Sequence, residues 1–265
     1  MDLRGTVVAV TGASAGIGRE TALAFARAGA RVAVCARRAD RLRVLADEVA
    51  ALGSEALVAE VDVAREDQVR AFVEAAVARF GRLDVLVNNA GYGVKGRVEE
   101  TPAEDYLRLM EVNYLGTVYG CRAAIPVMRR QGRGVIVNVS SIVGMRALPG
   151  GAAYAATKAA QVSLTESLRV ELFGSGVFAC SVHPIGTATE FAEVAERASP
   201  GRKGGALGPQ QTASAVADAI VGCARRPRAE VYPYALSRPL VWANALFPGL
   251  VDRVAARAAR RAGRL

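Results

Sequence analysis

A tyrosine and a lysine, Tyr154 and Lys158, lie four residues apart in a segment with a helical pattern. Residues at this spacing share one face of a helix, so an ammonium group would lie beside a phenol. An unperturbed phenol has a pKa of about 10, and a nearby positive charge favours its phenolate form. We therefore expect Lys158 to bring the pKa of Tyr154 towards the range of a general acid and base. Because this spacing also occurs on many solvated helices, the pair needs support from other motifs.

A glycine-rich turn near the N-terminus provides such support. It connects a short apolar strand, Thr6–Val10, to a helical run, Arg19–Ala28, and contains Gly12, Gly16 and Gly18. Glycines at a strand-to-helix turn let the backbone approach a pyrophosphate, which the free N–H groups of the helix then bind. The spacing Gly-x-x-x-Gly-x-Gly differs from the general dinucleotide fingerprint. An ordinary turn is the alternative, but three glycines within seven positions favour phosphate binding.

Further motifs follow in order: Asn88-Asn89-Ala90-Gly91, then Asn113, and then Ser141, thirteen residues before Tyr154. With the glycine-rich turn, this set resembles the short-chain dehydrogenase/reductase family in its compact single-domain form. The resemblance covers residues 1–190, and its motifs are highly specific when taken together. It implies an oxidoreductase that uses a nicotinamide cofactor.

Apolar strands alternate with helical patterns, and this order predicts one α/β domain with a doubly wound, Rossmann-type, mostly parallel sheet. The strands are rich in Val and Ile on both faces, as in a parallel sheet covered by helices. Strands are expected at Val7–Val10, Arg31–Cys35, Glu55–Val61, Val85–Asn88, Val135–Val139, Val177–His183 and Glu230–Tyr234. Helices are expected at Gly16–Ala28, Ala39–Leu52, Glu66–Phe80, Ala103–Arg130, Ala152–Phe173 and Pro209–Arg225. Ligands bind beyond the carboxyl ends of such strands, and Thr11, Asn88 and Ser141 lie at or just after strand ends.

Length and composition agree with one domain, because 265 residues of which 52% are hydrophobic can bury one large core. The chain has no apolar stretch of about 18 residues, and the first strand begins close to Met1. Neither a transmembrane helix nor a signal peptide is therefore expected, and the cytoplasm is the expected compartment. No metal is expected, because the cysteines lack the spacing of a zinc site or a redox dithiol. They are Cys35, Cys121, Cys180 and Cys223.

The end of the second strand indicates which cofactor is preferred. In dinucleotide folds an acidic residue about 20 residues after the glycines holds the ribose hydroxyls and disfavours a 2′-phosphate. Here that position is Ala36, and Arg37 and Arg38 follow it. Guanidinium groups bind phosphate dianions well, so NADP(H) is favoured, while NAD(H) stays possible. The alternative is that both arginines only begin a solvated helix.

The resemblance implies a set of cofactor contacts around the turn and the strand ends. Asp62 would contact the adenine, or would otherwise cap a strand end, and Asn88–Gly91 would have a mainly structural role. The cofactor-binding residues expected are Gly12, Ser14, Gly16, Ile17, Gly18, Arg37, Arg38, Asp62, Val63, Asn89, Ala90, Gly91, Tyr154, Lys158, Pro184, Thr187 and Thr189.

The chemistry that the resemblance implies is hydride transfer between a nicotinamide and a carbonyl or secondary alcohol carbon. Ser141 would hydrogen-bond the developing oxyanion while Tyr154 delivers the proton, and Lys158 would also hold ribose hydroxyls. The adjacent Ser140 is a rival, but the separation from the tyrosine favours Ser141. Asn113 matches the family's fourth catalytic residue, which holds a water for proton relay. A local backbone hydrogen bond is the alternative for this asparagine.

The segment after the sixth strand departs from the family pattern, because Ile185 replaces the usual glycine after Pro184. Family register would place Thr187 and Thr189 against the nicotinamide carboxamide. Residues 187–208 are expected to form a mobile substrate lid, since they include a Gly/Pro-rich stretch. Mostly apolar or aromatic side chains line the presumed pocket, which favours a lipophilic ketone or alcohol as substrate. They are Tyr92, Val143, Met145, Ala147, Leu148 and Phe191.

Residues 236–265 form a basic extension to the domain of residues 1–235. Residues 225–265 carry nine arginines against Glu230 and Asp252, a net side-chain charge of +7 out of the whole chain's +9. A basic amphipathic helix with apolar anchors could lie on an anionic membrane surface. A helix packed on the body, or an Ala/Arg-rich segment without function, are the alternatives. No nucleic-acid-binding motif accompanies the charge, so nucleic acid is not an expected partner. The arginines at helical spacing are Arg253, Arg257, Arg260 and Arg264.

Three classes of function follow from these motifs. An NADP(H)-dependent oxidoreductase acting on a small-molecule carbonyl or alcohol is favoured. The alternatives are an isomerase or lyase that uses a similar fold and a bound cofactor, and a cofactor-binding sensor without chemistry. Retention of all four family catalytic positions argues against the sensor. The resemblance also implies a homodimer or homotetramer, formed through the helices expected at Ala103–Arg130 and Ala152–Phe173.

Overall fold

The computed structural model describes residues 1–204 and 208–263, and it contains the doubly wound α/β fold that the sequence predicts. The strands are β1 (Val7–Thr11), β2 (Arg31–Ala36), β3 (Ala56–Glu60), β4 (Val85–Asn88), β5 (Gly134–Val139), β6 (Val177–Val182), β7 (Thr187–Ala188), β8 (Gln211–Thr212) and β9 (Glu230–Val231). Within the described residues, the main sheet has seven parallel strands in the order β3-β2-β1-β4-β5-β6-β9. The short strands β7 and β8 pair separately and were not predicted.

Helices cover both faces of the main sheet. They are α1 (Gly16–Arg27), α2 (Ala39–Ala51), α3 (Glu66–Phe80), α4 (Ala103–Leu109), α5 (Gly116–Gln131), α6 (Ala152–Glu171), α7 (Phe191–Ala198), α8 (Ala213–Arg225), α9 (Ser237–Leu246) and α10 (Pro248–Arg261). Helices α1, α2 and α8 bury side chains against one face, and α3, α5 and α6 against the other. Strands β1, β4 and β5 are consequently buried along their whole length. Among the described helices, none combines the length and the apolar character that a membrane crossing needs.

The direction in which the chain winds reverses at β1. This strand pairs with β2 on one side and with β4 on the other. A crevice therefore opens beyond the carboxyl ends of β1 and β4, which is where ligands bind in doubly wound sheets. The glycine-rich turn follows β1 and Asn89 follows β4, so the topology brings both motifs to this crevice.

The helix predicted over Ala103–Arg130 is interrupted. The turn Met110–Leu115 is π-helical and separates α4 from α5. Asn113 lies within it, and its carbonyl oxygen accepts hydrogen bonds from Gln161 and Thr117. A π turn inside a longer helix widens the backbone locally and is frequent at functional sites. The sequence pattern missed it because a single widened turn leaves the helical periodicity of the apolar residues on either side intact.

The helix predicted from Pro209 begins later, at Ala213. Thr212 ends β8, and its hydroxyl accepts a hydrogen bond from the backbone N–H of Ala215, which makes Thr212 the N-cap of α8. The basic extension forms two helices, α9 and α10, where one had been expected. The predicted helical position Arg264 lies outside the described residues. All four cysteines are buried and free of disulfides.

Candidate active site

The turn after β1 is shaped to receive an anionic group. A side chain at Gly12 would place its Cβ 2.7 Å from the Cα of Ala90, and one at Gly18 would lie 2.4 Å from the carbonyl oxygen of Gly12. Gly12 also has a φ of 67°, a conformation that glycine adopts most readily. The N-cap of α1, Ala15, makes no side-chain hydrogen bond to the first turn. The uncapped N–H groups at this helix end fit the pyrophosphate of a dinucleotide.

The loop after β4 holds this turn in place. The hydroxyl of Thr11 accepts hydrogen bonds from the backbone N–H groups of Asn89, at 3.0 Å, and Ala90, at 3.1 Å. In return the Asn89 side chain donates to the carbonyl of Thr11 at 3.0 Å. Asn88 points into the core and donates to the side chain of Asn138 at 2.9 Å. These contacts match the structural role that was expected for the motif.

The two arginines after Ala36 differ in their surroundings. Arg38 donates to the hydroxyl of Ser14 at 3.0 and 3.2 Å and to the carboxylate of Glu190 at 2.9 Å. Arg41, one turn further along α2, donates to the other oxygen of Glu190. Arg37 is exposed to solvent. The cluster therefore combines one predicted arginine with Arg41, which sequence reasoning missed although it lies three residues after Arg38 on the same helix face.

Asp62 acts as a turn residue after β3. One carboxylate oxygen accepts the N–H of Ala64 at 3.0 Å, and the other lies 3.1 Å from the guanidinium of Arg108. This geometry supports the strand-end role, and the adenine contact stays a prediction. The neighbouring Val63 is buried and packs tightly against Gly116. A Cβ added at Gly116 would lie 3.0 Å from a methyl group of Val63.

The predicted pair of catalytic residues shares one face of α6. The Nζ atom of Lys158 lies 5.6 Å from the centroid of the Tyr154 ring. Lys158 is only 3% exposed, and its ammonium donates to the carbonyl of Val139 and to Oε1 of Gln161, both at 2.9 Å. Because an ammonium has three donors, one N–H has no partner among the residues that the structure describes. Gln161 was not predicted; its only sequence signal is the helical spacing of three residues from Lys158.

The protonation of this pair differs from the expectation. Burial raises the pKa of the Tyr154 phenol, and the Ser141 side chain beside it acts in the opposite direction. Burial also lowers the pKa of Lys158 from 10.5 to about 7. The direction for Tyr154 is therefore opposite to the acidification that was expected from Lys158. The physical reason is desolvation, which disfavours the charged form of each buried group.

Two adjacent serines follow β5 and face different ways. The Ser140 hydroxyl donates to the backbone carbonyl of Lys158 at 2.9 Å and is buried against α6. Ser141 is less buried, and its hydroxyl lies 3.4 Å from the carbonyl of Pro184, on the side of the Tyr154 phenol. The backbone carbonyl of Pro184 also accepts the N–H of Ile142 at 2.9 Å. This geometry favours Ser141 over Ser140 as the residue that faces a substrate.

The side chain of Asn113 is fully occupied. Its Oδ1 accepts the N–H of Tyr92 at 3.0 Å, and its Nδ2 donates to the Tyr92 carbonyl at 2.9 Å and to Thr157 at 3.0 Å. The backbone carbonyl oxygen of Asn113 accepts a hydrogen bond from Nε2 of Gln161 at 2.8 Å. Gln161 thus connects Asn113 to the ammonium of Lys158. Gly91 packs beside this group, where an added Cβ would lie 3.0 Å from Oδ1 of Asn113.

The lid begins close to the glycine-rich turn. The methyl group of Thr189 packs over Gly16, and the Thr187 hydroxyl donates to the carbonyl of Ile185 at 2.9 Å. The ring of Phe191 then lies 5.2 Å from that of Tyr154, centroid to centroid. Phe191 therefore packs against the Tyr154 ring in a tilted arrangement.

Residues 191–198 of the expected lid form the helix α7, and the described part of the Gly/Pro-rich stretch follows this helix without regular secondary structure. At the far end of α7, Glu196 forms an ion pair with Lys95 at 2.5 Å. The buried Ser199 accepts the backbone N–H of Lys95 at 2.8 Å. The expected lid extended to residue 208, and its residues 205–207 lie outside the described part of the chain.

Comparison with known proteins gives consistent results. The family model described as short chain dehydrogenase matches residues 6–199. An uncharacterized oxidoreductase, YxnA of Bacillus subtilis (strain 168), is 35% identical over 260 residues, which are 95% of this chain and 72% of the relative.

Two solved structures share the fold. A short chain dehydrogenase/reductase from Burkholderia phymatum in complex with NAD superposes with a TM-score of 0.86 at 28% identity, covering 94% of this chain and 96% of that chain. An alcohol dehydrogenase from the archaeon Thermococcus sibiricus, complexed with 5-hydroxy-NADP, superposes with a TM-score of 0.76 at 30% identity. That match covers 86% of this chain and 95% of the archaeal chain.

Proposed function

The chain belongs to the short-chain dehydrogenase family, and we propose that it interconverts a ketone and a secondary alcohol with NADP(H). Family membership makes it an oxidoreductase with a nicotinamide cofactor. The observation that carries the proposal is the convergence of Ser141, Tyr154 and Lys158 beyond β5, beside a turn fitted to a pyrophosphate.

Each of these side chains has a separate task in the proposed reaction. A bound nicotinamide supplies or accepts the hydride. In the reducing direction, Tyr154 gives its phenolic proton to the substrate oxygen while Ser141 donates a hydrogen bond to it. The N–H of Lys158 that lacks a partner among the described residues is available for a ribose hydroxyl. Gln161 holds the lysine ammonium and is itself fixed by its hydrogen bond to the backbone carbonyl of Asn113.

Turnover by the purified protein tests the proposal. NADPH is mixed with a panel of lipophilic ketones, and oxidation of the cofactor is followed by absorbance. We expect oxidation that Tyr154→Phe lowers about 10²–10⁴-fold while cofactor binding persists. Substrate conversion without any change in bulk NADPH would instead favour an isomerase or lyase. Equal activity of Tyr154→Phe would exclude the proposed acid/base chemistry.

The preference for NADP(H) is supported by the charge at the end of β2. Ala36 supplies no carboxylate to hold the ribose hydroxyls, and Arg38 and Arg41 lie together beside Ser14. Guanidinium groups form charge-assisted bonds to phosphate. The relative affinities of NADPH and NADH for Arg38→Ala and for the unmodified chain test this preference directly.

A lipophilic substrate is supported by the aromatic cover of the catalytic tyrosine. Phe191 packs on Tyr154, and Val94, Leu109 and Ala153 form a small apolar cluster with Tyr92 nearby. Apolar and aromatic side chains around a site favour ligands with few polar groups. Comparison of kcat/KM for ketones of rising chain length measures this preference.

We also propose a homodimer or homotetramer that forms through α5 and α6, in the cytoplasm. Support comes from the end of α6, where Val170 is 78% exposed and Phe173, just beyond it, is 92% exposed. Large apolar side chains exposed together often mark an interface. Light scattering of the unmodified chain and of Phe173→Arg tests the assembly.

We also propose that residues 1–235 form the catalytic domain and that the extension, residues 236–265, contacts a membrane surface. In the described part of the extension, Leu246 and Phe247 are 72% and 61% exposed, and Trp242 is 57% exposed. Arg238 stacks over the Trp242 ring at 5.1 Å. Exposed apolar side chains next to arginines support peripheral contact with an anionic membrane.

A further inference from the structure

We propose that Glu190 is a latch, which holds the lid closed by occupying the two arginines that a 2′-phosphate of NADP(H) needs. The inference rests on the proposed NADP(H) preference and adds a regulation of the same site. It follows that a 2′-phosphate and the Glu190 carboxylate compete for Arg38 and Arg41. A cofactor without this phosphate leaves the latch in place.

The cluster carries more positive than negative charge, which favours replacement of the Glu190 carboxylate by a phosphate. One Glu190 carboxylate pairs with two guanidinium groups, those of Arg38 and Arg41. The same hydrogen bonds hold the pKa of Glu190 below its usual range, so the carboxylate is ionised. A phosphate monoester carries about −1.5 to −2 charges at neutral pH and neutralises two arginines more completely. The three side chains are between 35% and 43% exposed, so a ligand can reach them.

The lid helix is held differently at its two ends. At the far end, the ion pair of Lys95 with Glu196 and the buried Ser199 attach α7 to the loop after β4. At the near end, Glu190 supplies the ion pairs that reach across the cleft to α2. Loss of the Glu190 contacts therefore releases the near end while the far end stays attached.

Release of the latch changes the cover of the catalytic tyrosine. Phe191 follows Glu190 directly, and its ring lies 5.2 Å from the Tyr154 ring with an interplanar angle of 58°. Because the two residues are adjacent, movement of the carboxylate away from α2 also loosens Phe191. Binding of the 2′-phosphate at one end of the cleft thus opens the substrate side at the other.

A binding experiment on the full chain tests the competition. The probes are adenosine 2′,5′-bisphosphate and adenosine 5′-monophosphate, which lack the nicotinamide and differ in the 2′-phosphate. Titration calorimetry compares the unmodified chain with Glu190→Gln and with Glu193→Gln. Glu193 lies on the same helix, is exposed, and has no ion pair among the described residues, so its variant controls for the loss of one negative charge.

We expect Glu190→Gln to bind the bisphosphate about three to ten times more tightly, the range for losing two half-exposed ion pairs. Binding of the monophosphate should not change, and Glu193→Gln should behave like the unmodified chain for both probes. An equal gain in both variants would reduce the effect to general electrostatics and overturn the latch. Weaker binding of the bisphosphate by Glu190→Gln would overturn it as well.

Hydrogen exchange of the α7 amides tests the coupling to the lid. The bisphosphate should speed exchange in residues 191–198 of the unmodified chain, although a ligand normally slows it. Glu190→Gln should exchange quickly without any ligand, and the bisphosphate should add nothing further. Slower exchange of α7 on binding, or equal rates in all variants, would overturn the latch.

The two proposals can fail separately. If the unmodified chain binds both probes equally, the NADP(H) preference fails, and exchange in Glu190→Gln without ligand still decides whether Glu190 holds the lid. If the bisphosphate binds more tightly than the monophosphate but Glu190→Gln has no effect on either measurement, the preference stands and the latch fails.

Discussion

The ammonium of Lys158 donates a 2.9 Å hydrogen bond to the side-chain oxygen of Gln161, and both side chains are buried. The amide nitrogen of Gln161 in turn donates to the carbonyl of Asn113 at 2.8 Å and to the hydroxyl of Thr117 at 2.6 Å. The other partner of the ammonium is the carbonyl of Val139. The lysine is thus held by neutral acceptors, which explains why burial can lower its pKa to about 7.

Substitution of Gln161 should move the upper pH limit of activity. Loss of the Lys158 charge removes the group that stabilises the Tyr154 phenolate, so kcat/KM for ketone reduction should fall as the pH rises through the pKa of Lys158. Gln161→Glu adds a negative charge, raises this pKa and should move the limit upwards by about one pH unit or more. Gln161→Leu removes an acceptor and should move it downwards. The pH dependence of kcat/KM, which reports the free enzyme, measures both shifts.

A control separates this role from simple packing. Gln131 also uses both ends of its amide, on the backbone of Leu83. Leu83 and Gln131 precede β4 and β5 respectively, and the opposite ends of these strands carry the site. Gln131→Glu should leave the pH limit unchanged. Shifts in the same direction for Gln161→Glu and Gln161→Leu would mean that Gln161 only fills space.

The buried lysine should also make stability depend on pH. Between its lowered pKa of about 7 and its ordinary value of 10.5, Lys158 is neutral when folded and protonated when unfolded. The unfolded chain binds more protons in this window, so the free energy of unfolding rises with pH there. Relative to Lys158→Met, the unmodified chain should gain on the order of 2 kcal/mol between about pH 7 and pH 9. Chemical denaturation at both pH values measures the difference.

Lys203 provides the matched control, because it is an exposed lysine whose substitution removes the same charge. The free energy of unfolding of Lys203→Met should differ from that of the unmodified chain by the same amount at both pH values. If Lys158→Met also shows a constant difference, the lysine keeps its ordinary pKa in the folded chain.

The two serines after β5 should separate activity from stability. Ser141→Ala removes the donor on the side of Tyr154 and should lower kcat about 10²–10³-fold, the range for losing one oxyanion donor. Ser140→Ala leaves the carbonyl of Lys158 without that partner and should lower the free energy of unfolding by about 1–3 kcal/mol. Steady-state kinetics and denaturation of both variants measure the two effects. A larger loss of kcat in Ser140→Ala than in Ser141→Ala would show that Ser140, and not Ser141, is the residue that hydrogen-bonds the substrate oxygen.

Much of the fold follows from the pattern of apolar residues. Val7–Val10 and Val85–Asn88 are apolar on both faces and bounded by polar residues, which identifies buried parallel strands. The observed strands extend these ranges by one residue or none. Thr11, Asn88 and Ser141 were expected at one edge because the carboxyl ends of parallel strands share it, and each lies at or just after the end of its observed strand.

Other parts of the site depend on contacts between segments that are distant in the chain. Glu190 meets Arg38 across 152 positions, and Gln161 meets Asn113 across 48. Neither contact leaves a local periodicity that could be recognised. The protonation of Tyr154 was mispredicted for a related reason: spacing on a helix reveals the neighbouring charge but not the burial that opposes it. The sequence therefore predicted the partners in the site better than their energetics.

The basic extension should bind anionic vesicles, and its tryptophan can report this binding. Trp242 is the one tryptophan of the chain, and it is 57% exposed beside Arg238. On α10, Leu250, Val254 and Arg257 follow each other at helical spacing and are all exposed, so apolar and basic groups share a stripe. Such a stripe lies in the membrane interface with its apolar side chains buried among the lipids. Vesicles containing phosphatidylglycerol should shift the Trp242 emission to shorter wavelength, and phosphatidylcholine alone should shift it less.

Leu246→Ser should weaken this binding about fivefold to thirtyfold, because burying one leucine contributes on the order of 1–2 kcal/mol. Leu107→Ser removes a leucine that is 65% exposed on α4, outside the extension, and should leave binding unchanged. Added salt should weaken binding to the anionic vesicles, because exposed charges are screened. A shift in Trp242 emission that depends on protein concentration and not on vesicles would show that the exposed stripe contacts a second copy of the chain. Equal binding to vesicles with and without phosphatidylglycerol would show that the arginines do not contribute to membrane binding.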